Sequence, residues 1–285
     1  MTRALLATFN LMPEGEPGGE LLVAALAERG VEAAWVCWDD PTVDWGAADV
    51  VAARSTWDYQ RRCAEFLAWA RSVDEVTCLL NGADVFAWNA DKSYLTDLGD
   101  VPVIPTIVLD DRTLVAGLGT AADRWGTVVM KPAIGAGGVG VVVARGVDDP
   151  SLEGLVQAPW VVQPLVESVR TEGEISVYVL DGRAVSRFDK LPADGEIRVH
   201  ELYGGTTRLG VLDAETARLA EHAVKSAAAR LEADLPYARV DLMTYDGRLV
   251  VSELELIEPG LYLDVVPDNA GPFADVIADR ARRRS

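Results

Sequence analysis

The segment that most constrains the fold is residues 127–143, where an apolar strand ending near Lys131 runs into a glycine-rich loop and then into a second apolar strand. Four glycines lie between Gly135 and Gly140, and glycine can adopt positive φ and leave backbone N–H groups free to face an anion. A dinucleotide fingerprint would need a helix directly after the glycines, and a Walker loop would end in Gly-Lys-Ser/Thr. Neither follows, so the pattern predicts a β-hairpin whose loop covers phosphates. An ordinary hairpin turn is the alternative if the loop is considered alone.

A second predicted hairpin, near the C-terminus, carries acidic residues. Asp241 lies on its first strand, and Glu253 and Glu255 lie two residues apart on its second. Residues two apart share a face of a strand, so we expect both glutamates on one face together with Val251, and Leu254 on the other. Three converging carboxylates repel each other unless a cation lies between them, and such ligands suit Mg²⁺ bridged to nucleotide phosphates. A solvated surface hairpin is the alternative, which the strongly apolar neighbours disfavour.

Three further features suit a nucleotide pocket. The short apolar strand 161–166 could offer its backbone to the edge of adenine, and Glu174 could accept hydrogen bonds from ribose hydroxyls. Lys92, directly before a predicted helix over 93–98, could reach a phosphate. Each has an ordinary alternative by itself, because a lysine at a helix start is usually solvated and a Gln-Pro pair usually ends a strand.

In this order the features resemble the ATP-grasp superfamily, which includes glutathione synthetase and the ligase that joins two D-alanines. The resemblance covers about residues 91–260, and it implies ATP and Mg²⁺ as cofactors. The positions that it implies for nucleotide binding are Lys92, Lys131, the loop residues Gly135, Ala136, Gly137 and Gly138, the adenine hinge Gln163, Pro164, Leu165 and Val166, and the ribose acid Glu174.

The same resemblance implies a catalytic centre on the acidic hairpin. Asp241, Glu253 and Glu255 look like the metal ligands of the family, although many members have Asn where this chain has Glu255. A third carboxylate still coordinates Mg²⁺. Arg239 resembles the arginine that faces the acyl phosphate and the transition state, and Lys131 is the second residue implied to be catalytic.

A narrower resemblance rests on four short segments. They look like the cyclo-ligases that close the ring of D-cycloserine from O-ureido-D-serine, and the segments are 54–59 (RSTWDY), 88–92 (WNADK), 104–106 (IPT) and 253–259 (ELELIEP). The resemblance implies an ATP-dependent carboxylate–amine ligase of antibiotic biosynthesis that acts through an acyl phosphate and cyclises its substrate. Two alternatives stay open: an intermolecular amino-acid or dipeptide ligase on the same scaffold, and a non-catalytic nucleotide-binding regulator.

The first third of the chain alternates strands and helices, which favours a parallel sheet with helices on its faces. Ligands bind beyond the C-terminal ends of such strands, where the loops 10–19 and 54–59 fall. We expect Arg54 to pair a substrate carboxylate, aromatic side chains to wall the pocket, and Asp58 to receive an amine. The alternative places the aromatic residues in the core and Arg54 in a local ion pair with Asp58. The full set of expected substrate residues is Arg54, Ser55, Thr56, Trp57, Asp58, Tyr59, Arg198, Glu258 and Gly260.

The predicted fold class is α/β (α+β), an ATP-grasp fold with an N-terminal parallel-sheet domain, a small lid domain and a C-terminal domain that clasps ATP. At 285 residues the chain exceeds one average domain. We place the N-terminal substrate-side domain at 1–88, the central lid domain at 89–159 and the C-terminal domain at 160–285.

The net charge of −19 argues against a nucleic-acid partner, since binding DNA or RNA depends on neutralising phosphates with Lys and Arg. Because ATP is also an anion, Lys92, Lys131, Arg239 and Mg²⁺ must invert the local field. No segment has the ~18 consecutive apolar residues of a membrane span, and the N-terminus lacks a signal-peptide pattern. We therefore expect a cytoplasmic protein with a small amino-acid substrate and no membrane partner, and a homo-oligomer is compatible with the sequence.

Overall fold

The structure, a computed structural model, describes residues 2–284. Its strands are β1 (Thr2–Thr8), β2 (Val31–Cys37), β3 (Val50–Ser55), β4 (Cys78–Leu79), β5 (Ile107–Leu109), β6 (Val128–Pro132), β7 (Val142–Ala144), β8 (Trp160–Pro164), β9 (Glu174–Leu180), β10 (Arg183–Leu191), β11 (Thr206–Leu209), β12 (Tyr237–Tyr245) and β13 (Arg248–Glu255). Its α-helices are α1 (Gly19–Glu28), α2 (Cys63–Val76), α3 (Ala83–Asn89), α4 (Leu114–Trp125), α5 (Ala214–Leu231) and α6 (Ala270–Arg284).

The N-terminal sheet has the strand order β2-β1-β3-β4 and is parallel throughout. Its central strand β1 is buried on both faces, because Ala4 and Leu6 pack with residues of α1 and α6, whereas Leu5 and Ala7 pack with residues of α2 and α3. Buried parallel strands read as continuous apolar runs for this reason. The predicted parallel sheet is confirmed, and the two expected ligand loops follow the carboxyl ends of β1 and β3.

The largest sheet has the order β11-β10-β9-β12-β13 and is antiparallel. One face packs on α5, whose small residues Ala220, Ala223 and Ala227 lie against the strands. Helix α5 begins after Asp213, whose carboxylate accepts hydrogen bonds from two backbone N–H groups of the first turn. The other face of this sheet carries the polar residues of the candidate site.

The third sheet, β5-β8-β6-β7, is also antiparallel and packs on α4. Strands β6 and β7 pair directly, so the predicted glycine-loop hairpin is confirmed. Strand β8 lies between β5 and β6, although it begins at the predicted start of the third domain. The strand at this boundary therefore joins the sheet that precedes it, and the division into three domains stays a prediction.

The C-terminal helix α6 returns to the N-terminal sheet. Its residues Phe273 and Ile277 are fully buried against β1 and α1 in one core cluster. The mixed α/β class is therefore confirmed, with one parallel and two antiparallel sheets. In the part of the chain that the structure describes, no helix combines the length and apolar character needed to cross a membrane.

Candidate active site

The acidic hairpin of β12 and β13 forms one wall of the site. The predicted hairpin is confirmed, and Asp241 pairs with Glu253 and Arg239 with Glu255 across the two strands. The register shifts directly after Asp241, so that the next residue of β12 pairs with Val251 and Ser252 is an extra residue of β13. This is a β-bulge, which disrupts the alternation of faces along one strand.

The bulge makes one expectation about the hairpin wrong. Strict alternation places Val251 on the face of Glu253, but Val251 packs with Leu254 in the core that covers α5. The extra residue Ser252 contacts the cleft residue Glu174 (Oγ–Oε2 3.2 Å). One inserted residue thus keeps Glu253 on the cleft face while returning Val251 to the core.

Arg239 holds the carboxylates of the hairpin together. Its Nε donates to Oδ1 of Asp241 (2.9 Å), its Nη2 donates to Oδ2 (2.7 Å), and Nη2 also bonds Glu255. A second donor, the hydroxyl of Ser176, contacts Asp241 (Oγ–Oδ1 2.5 Å). Burial opposes ionisation of Asp241, but the charges of Arg239 and Lys190 outweigh it and hold the pKa of Asp241 below its usual range.

Lys92 connects the glycine loop to this hairpin. It opens a 3₁₀ turn, Lys92–Thr96, where the sequence predicts an α-helix. Its buried ammonium group donates to the carbonyl of Gly135 (Nζ–O 2.6 Å) and pairs with Glu253 (Nζ–Oε1 2.8 Å). One cation therefore bridges the loop and an expected metal ligand.

Lys131 and Glu174 face the same cluster of charges. Burial lowers the pKa of Lys131, and the negative charge of Glu253 opposes that effect. Burial, followed by the charge of Asp241, raises the pKa of Glu174 to about 7. Lys190, which pairs with Glu174 across β9 and β10, lies 3.7 Å from its carboxylate. The expected phosphate lysines and the expected ribose acid are thus brought to one cleft.

The donor chemistry of the hairpin suits Mg²⁺, but each expected ligand has a cationic partner as it stands. Asp241 and Glu255 pair with Arg239, and Glu253 pairs with Lys92. Within residues 2–284, no three acidic, histidine or cysteine side chains are arranged to hold a metal ion. Burial raises the pKa of Glu255, and the neighbouring carboxylates add to that effect against Arg239. Arginine and lysine side chains thus occupy the positions beside the carboxylates. The assignment of these three residues as metal ligands stays a prediction.

The expected adenine hinge begins on the last two residues of β8 and continues past its end. Gln163 is buried, and its amide donates to the hydroxyl of Thr106 (Nε2–Oγ1 2.9 Å). Val166 forms a small apolar cluster with Ile104 and Val250. Ligand sites are mostly apolar with a few placed polar groups, so this cluster beside the strand end suits a flat purine ring.

The glycine loop packs against a second loop that carries Arg198. A Cβ atom at Gly138, where φ is +71°, would lie 3.1 Å from side-chain atoms of Arg198 and Tyr203. The Arg198 guanidinium lies over the Tyr203 ring (3.5 Å to the centroid) and pairs with Glu196 (Nη2–Oε2 2.5 Å). Arg198, expected to bind substrate, is therefore engaged with the lid, and its substrate contact stays a prediction.

Arg54 is fully enclosed, with none of its surface exposed. It donates to Glu16 (Nη2–Oε1 2.9 Å) and to the carbonyl of Pro259 (2.6 Å), and it lies over the ring of Phe273. A local ion pair with Asp58 is wrong, because Glu16 is the carboxylate that Arg54 binds. Among the guanidinium nitrogens of Arg54, only Nη1 lacks a hydrogen-bond partner within residues 2–284. Direct contact between Arg54 and a substrate stays a prediction, and the enclosure of the side chain disfavours it.

The neighbours of Arg54 divide between core and cleft. Asp58 accepts a hydrogen bond from Trp38 (Nε1–Oδ1 2.9 Å), and Tyr59 packs on Phe66 inside the N-terminal core. The core alternative therefore describes Tyr59 better than a pocket wall does. The fully buried polar members of the segment are Ser55 and Thr56. Trp57 is only half-buried and turns toward the C-terminal part of the chain.

The segment 258–261 is clamped by side chains of the N-terminal region. Trp57 donates to the carbonyl of Glu258 (Nε1–O 3.3 Å), and Glu16 accepts from the N–H of Leu261 (2.6 Å). The arginine bond to residue 259 lies between these two contacts. A Cβ atom at Gly260 would lie 3.2 Å from Trp57, so the expected substrate residues of both segments meet here.

Glu16 is a site residue that the sequence analysis missed. The preceding Gly15 has φ of +89°, and a Cβ atom there would overlap the indole of Trp35. Glycine is required because the turn lies directly on this ring, and the turn places Glu16 against Arg54. The sequence offered two acids, Glu14 and Glu16, in a Pro- and Gly-rich loop, and neither position indicates a partner.

Glu258 lies where the clamp meets the acidic hairpin. Its side chain is buried, and it forms no hydrogen bond or ion pair with any residue of 2–284. Burial, followed by the charge of Glu255, raises the pKa of Glu258 to about 8. An unpartnered carboxylate thus borders the group that Arg239 organises.

Two family models match the chain in different parts. Residues 4–81 match the model described as the N-terminal domain of the D-cycloserine synthetase DcsG, and residues 123–262 match the RimK-like ATP-grasp domain. The cycloserine biosynthesis protein DcsG of Streptomyces lavendulae is 33% identical over 279 residues, which cover 92% of this chain and 93% of that protein.

Solved structures agree with these matches. A crystal structure of D-cycloserine synthetase DcsG has a TM-score of 0.85 and 30% identity, and the alignment covers 98% of this chain and 99% of that one. A D-alanine–D-alanine ligase from Bacillus anthracis, complexed with ATP, has a TM-score of 0.73 and 17% identity, covering 99% and 97% of the two chains. The second likeness shows the fold alone, and the fold is that of the ATP-grasp ligases.

Proposed function

This chain belongs to the D-cycloserine synthetase (DcsG) family of ATP-grasp ligases, and we propose that its reaction is the ATP-dependent cyclisation of O-ureido-D-serine to D-cycloserine. It is an enzyme that forms a C–N bond. What we propose is the identity of the carboxylate and of the nitrogen nucleophile that it joins.

The N-terminal region contributes side chains to the substrate side of the candidate site, and this observation supports the proposal. The N-terminal segment that matches the DcsG model supplies Glu16, Arg54 and Trp57, which clamp residues 258–261 beside the acidic hairpin. Substrate specificity lies in the site and not in the fold, which many ligases share. The matched segment therefore contains residues that shape the substrate side, which supports a shared substrate class.

For the nucleotide, we assign phosphate contacts to Lys92, Lys131 and the loop residues 135–138. The hinge 163–166 would take the adenine and Glu174 the ribose. Mg²⁺, when held by Asp241, Glu253 and Glu255, would supply charge neutralisation on the phosphates. If the ion pair between Lys92 and Glu253 opened, the Glu253 carboxylate would be free to bind the metal and the Lys92 ammonium group would be free to bind a phosphate.

The reaction begins with a poor electrophile. An oxygen of the substrate carboxylate attacks the γ-phosphorus of ATP, which yields an acyl phosphate and ADP. The ureido nitrogen bonded to oxygen then attacks the acyl carbon, the C–O bond to phosphate breaks, and a five-membered isoxazolidinone ring closes. Arg239 donates to the developing oxyanion. Hydrolysis of the carbamoyl group releases CO₂ and ammonia, and tethering of the nucleophile favours closure.

For the substrate, we assign contacts to the half-buried Trp57, to Glu258 and to Gly260. Arg54 and Glu16 act as positioning residues, because they hold the backbone of the segment that carries Glu258.

The test is to incubate the purified protein with MgATP and O-ureido-D-serine alone, and to follow ADP and cycloserine together by mass spectrometry. We expect both products in equal amounts, and no cycloserine from the L-enantiomer. ADP release that needs an added amino acid would favour the intermolecular ligase instead. Absence of ADP with every carboxylate tried, despite binding of MgATP, would favour the non-catalytic regulator.

A further inference from the structure

Glu258 differs from the other acids of the cleft in having no partner. Asp241 and Glu255 bind Arg239, and Glu253 binds Lys92. Glu174 accepts from a serine hydroxyl and lies near a lysine. Glu258 is 7% exposed, and none of the side-chain hydrogen bonds or ion pairs within residues 2–284 involves its carboxylate. Its oxygens are not among the fully enclosed polar atoms that lack a partner, so they keep access to solvent and are free for a group that enters the cleft.

The backbone around Glu258 is fixed, whereas its side chain is not. The carbonyl of Glu258 accepts from Trp57, the next carbonyl accepts from Arg54, and the N–H of Leu261 donates to Glu16. These contacts span the segment on both sides of the carboxylate. The clamp therefore fixes the backbone of Glu258, while its carboxylate takes no part in the hydrogen bonds and ion pairs among residues 2–284.

Glu258 follows the last residue of β13, Glu255, by three residues. Its carbonyl accepts the hydrogen bond of Trp57, and Glu255 binds Arg239. Glu258 is thus placed between the N-terminal substrate wall, marked by Trp57, and the acidic hairpin that carries Arg239.

We propose that Glu258 is the general base of ring closure and takes the proton of the ureido nitrogen as that nitrogen attacks the acyl phosphate. This inference rests on the proposed function. The nitrogen is flanked by a carbonyl and an oxygen, so it is a weak nucleophile while it retains its proton. A carboxylate that no other donor occupies is available to accept that proton.

Ring closure is a substitution of phosphate by nitrogen at the acyl carbon. A bond forms between nitrogen and the acyl carbon, the bond from that carbon to the phosphate oxygen breaks, and phosphate leaves with the electron pair. The nitrogen proton moves to an oxygen of Glu258 and then passes to the departing phosphate or to water. Because the pKa of Glu258 is about 8, the ionised form that accepts the proton grows as pH rises toward that value, and a base whose pKa lies near the working pH is effective.

The experiment compares Glu258→Gln with wild-type enzyme on MgATP and O-ureido-D-serine in the presence of hydroxylamine. Hydroxylamine attacks an acyl phosphate as a free amine and gives a hydroxamate without a protein base. We expect Glu258→Gln to release ADP within about threefold of wild type while cycloserine formed per ADP falls by about 10²–10⁴, the usual range for loss of a general base. Hydroxamate should account for the missing product.

The matched control is Glu172→Gln, which removes an exposed carboxylate and should leave product partition unchanged. Thermal unfolding of each variant checks that the fold persists. Unchanged cycloserine per ADP in Glu258→Gln would overturn the assignment, and so would equal losses of ADP release and cycloserine, since the residue would then act before the acyl phosphate. A wild-type enzyme that forms no cycloserine would overturn the proposed function, and this inference with it.

Discussion

Two buried arginines, each bound by carboxylates, lie on the two sides of the cleft. Arg239 binds Asp241, two residues along its own strand, and Glu255 on the paired strand. Arg54 binds Glu16, 38 residues away, and a carbonyl 205 residues away. The side chain of Glu255 is 26% exposed, whereas that of Glu16 is 3% exposed. One arginine borders the open cleft and the other is inside the protein.

The difference shows that residue type and burial do not by themselves assign a role to an arginine. The exposed side chain of Glu255 lets solvent reach the partner of Arg239, so Arg239 can exchange that carboxylate for a ligand. Arg54 cannot, since its loss would leave Glu16 charged in a dry interior. We therefore expect Arg54 to affect mainly stability and Arg239 to affect mainly turnover.

Arg54→Met is expected to have the largest effect, and it tests whether Arg54 contributes mainly to stability. Removal of one member of a buried ion pair costs about 3–5 kcal/mol of unfolding free energy, because the other charge is left uncompensated. Urea unfolding measures the loss. The control is Arg230→Met, whose pair with Asp97 is exposed on both sides and should change stability by about 1 kcal/mol or less. A stable Arg54→Met enzyme that has lost turnover would instead make Arg54 a direct substrate ligand.

The second test is Arg239→Ala. We expect kcat to fall by about 10²–10³, the usual cost of removing one preorganised oxyanion donor. Binding of ATP, measured by calorimetry, should persist. Unchanged turnover would show that Arg239 is not catalytic, and both arginines would then have structural roles only.

A third test concerns the lid on the Arg239 side. Gly137 has φ of +60°, a conformation that valine adopts only with strain, about 1–3 kcal/mol. We expect Gly137→Val to lower the ratio of cycloserine to ADP by about tenfold, because an acyl phosphate exposed to water hydrolyses. Gly146→Val is the control, since Gly146 is not among the positive-φ residues and a Cβ atom there meets nothing within 4 Å. Full coupling in Gly137→Val would show that the loop is not a working lid.

The smallest effect is the pH dependence that Glu174 adds to stability. Its pKa in the folded protein is about 7, above the ordinary value of 4.5, so between these values the folded state holds a proton that the unfolded state has lost. Stability therefore falls as pH rises through this window. Because glutamine does not titrate, Glu174→Gln should gain stability relative to wild type from pH 5 to pH 7, on the order of 1 kcal/mol, as judged by urea unfolding. A constant difference across the window would contradict the raised pKa.

The sequence predicted those features whose causes are local. Glycine spacing and strand alternation act over a few residues, and they gave the glycine-loop hairpin, the acidic hairpin and the N-terminal parallel sheet. Alternation failed at Val251 because a bulge leaves no mark in an apolar strand. The role of Glu16 was missed because its partners are distant in the chain, and only the folded structure brings them together.

The bulge at Ser252 also determines how relatives should be aligned with this chain. A homologue with a regular hairpin has one residue fewer on this strand, and its gap belongs opposite Ser252. A gap placed after Glu253 instead would shift the preceding positions by one, and a one-residue shift exchanges the two faces of a strand. The core residue that corresponds to Leu254 would then align with the cleft acid Glu253. Correct transfer of ligand roles between members of the family depends on that single position.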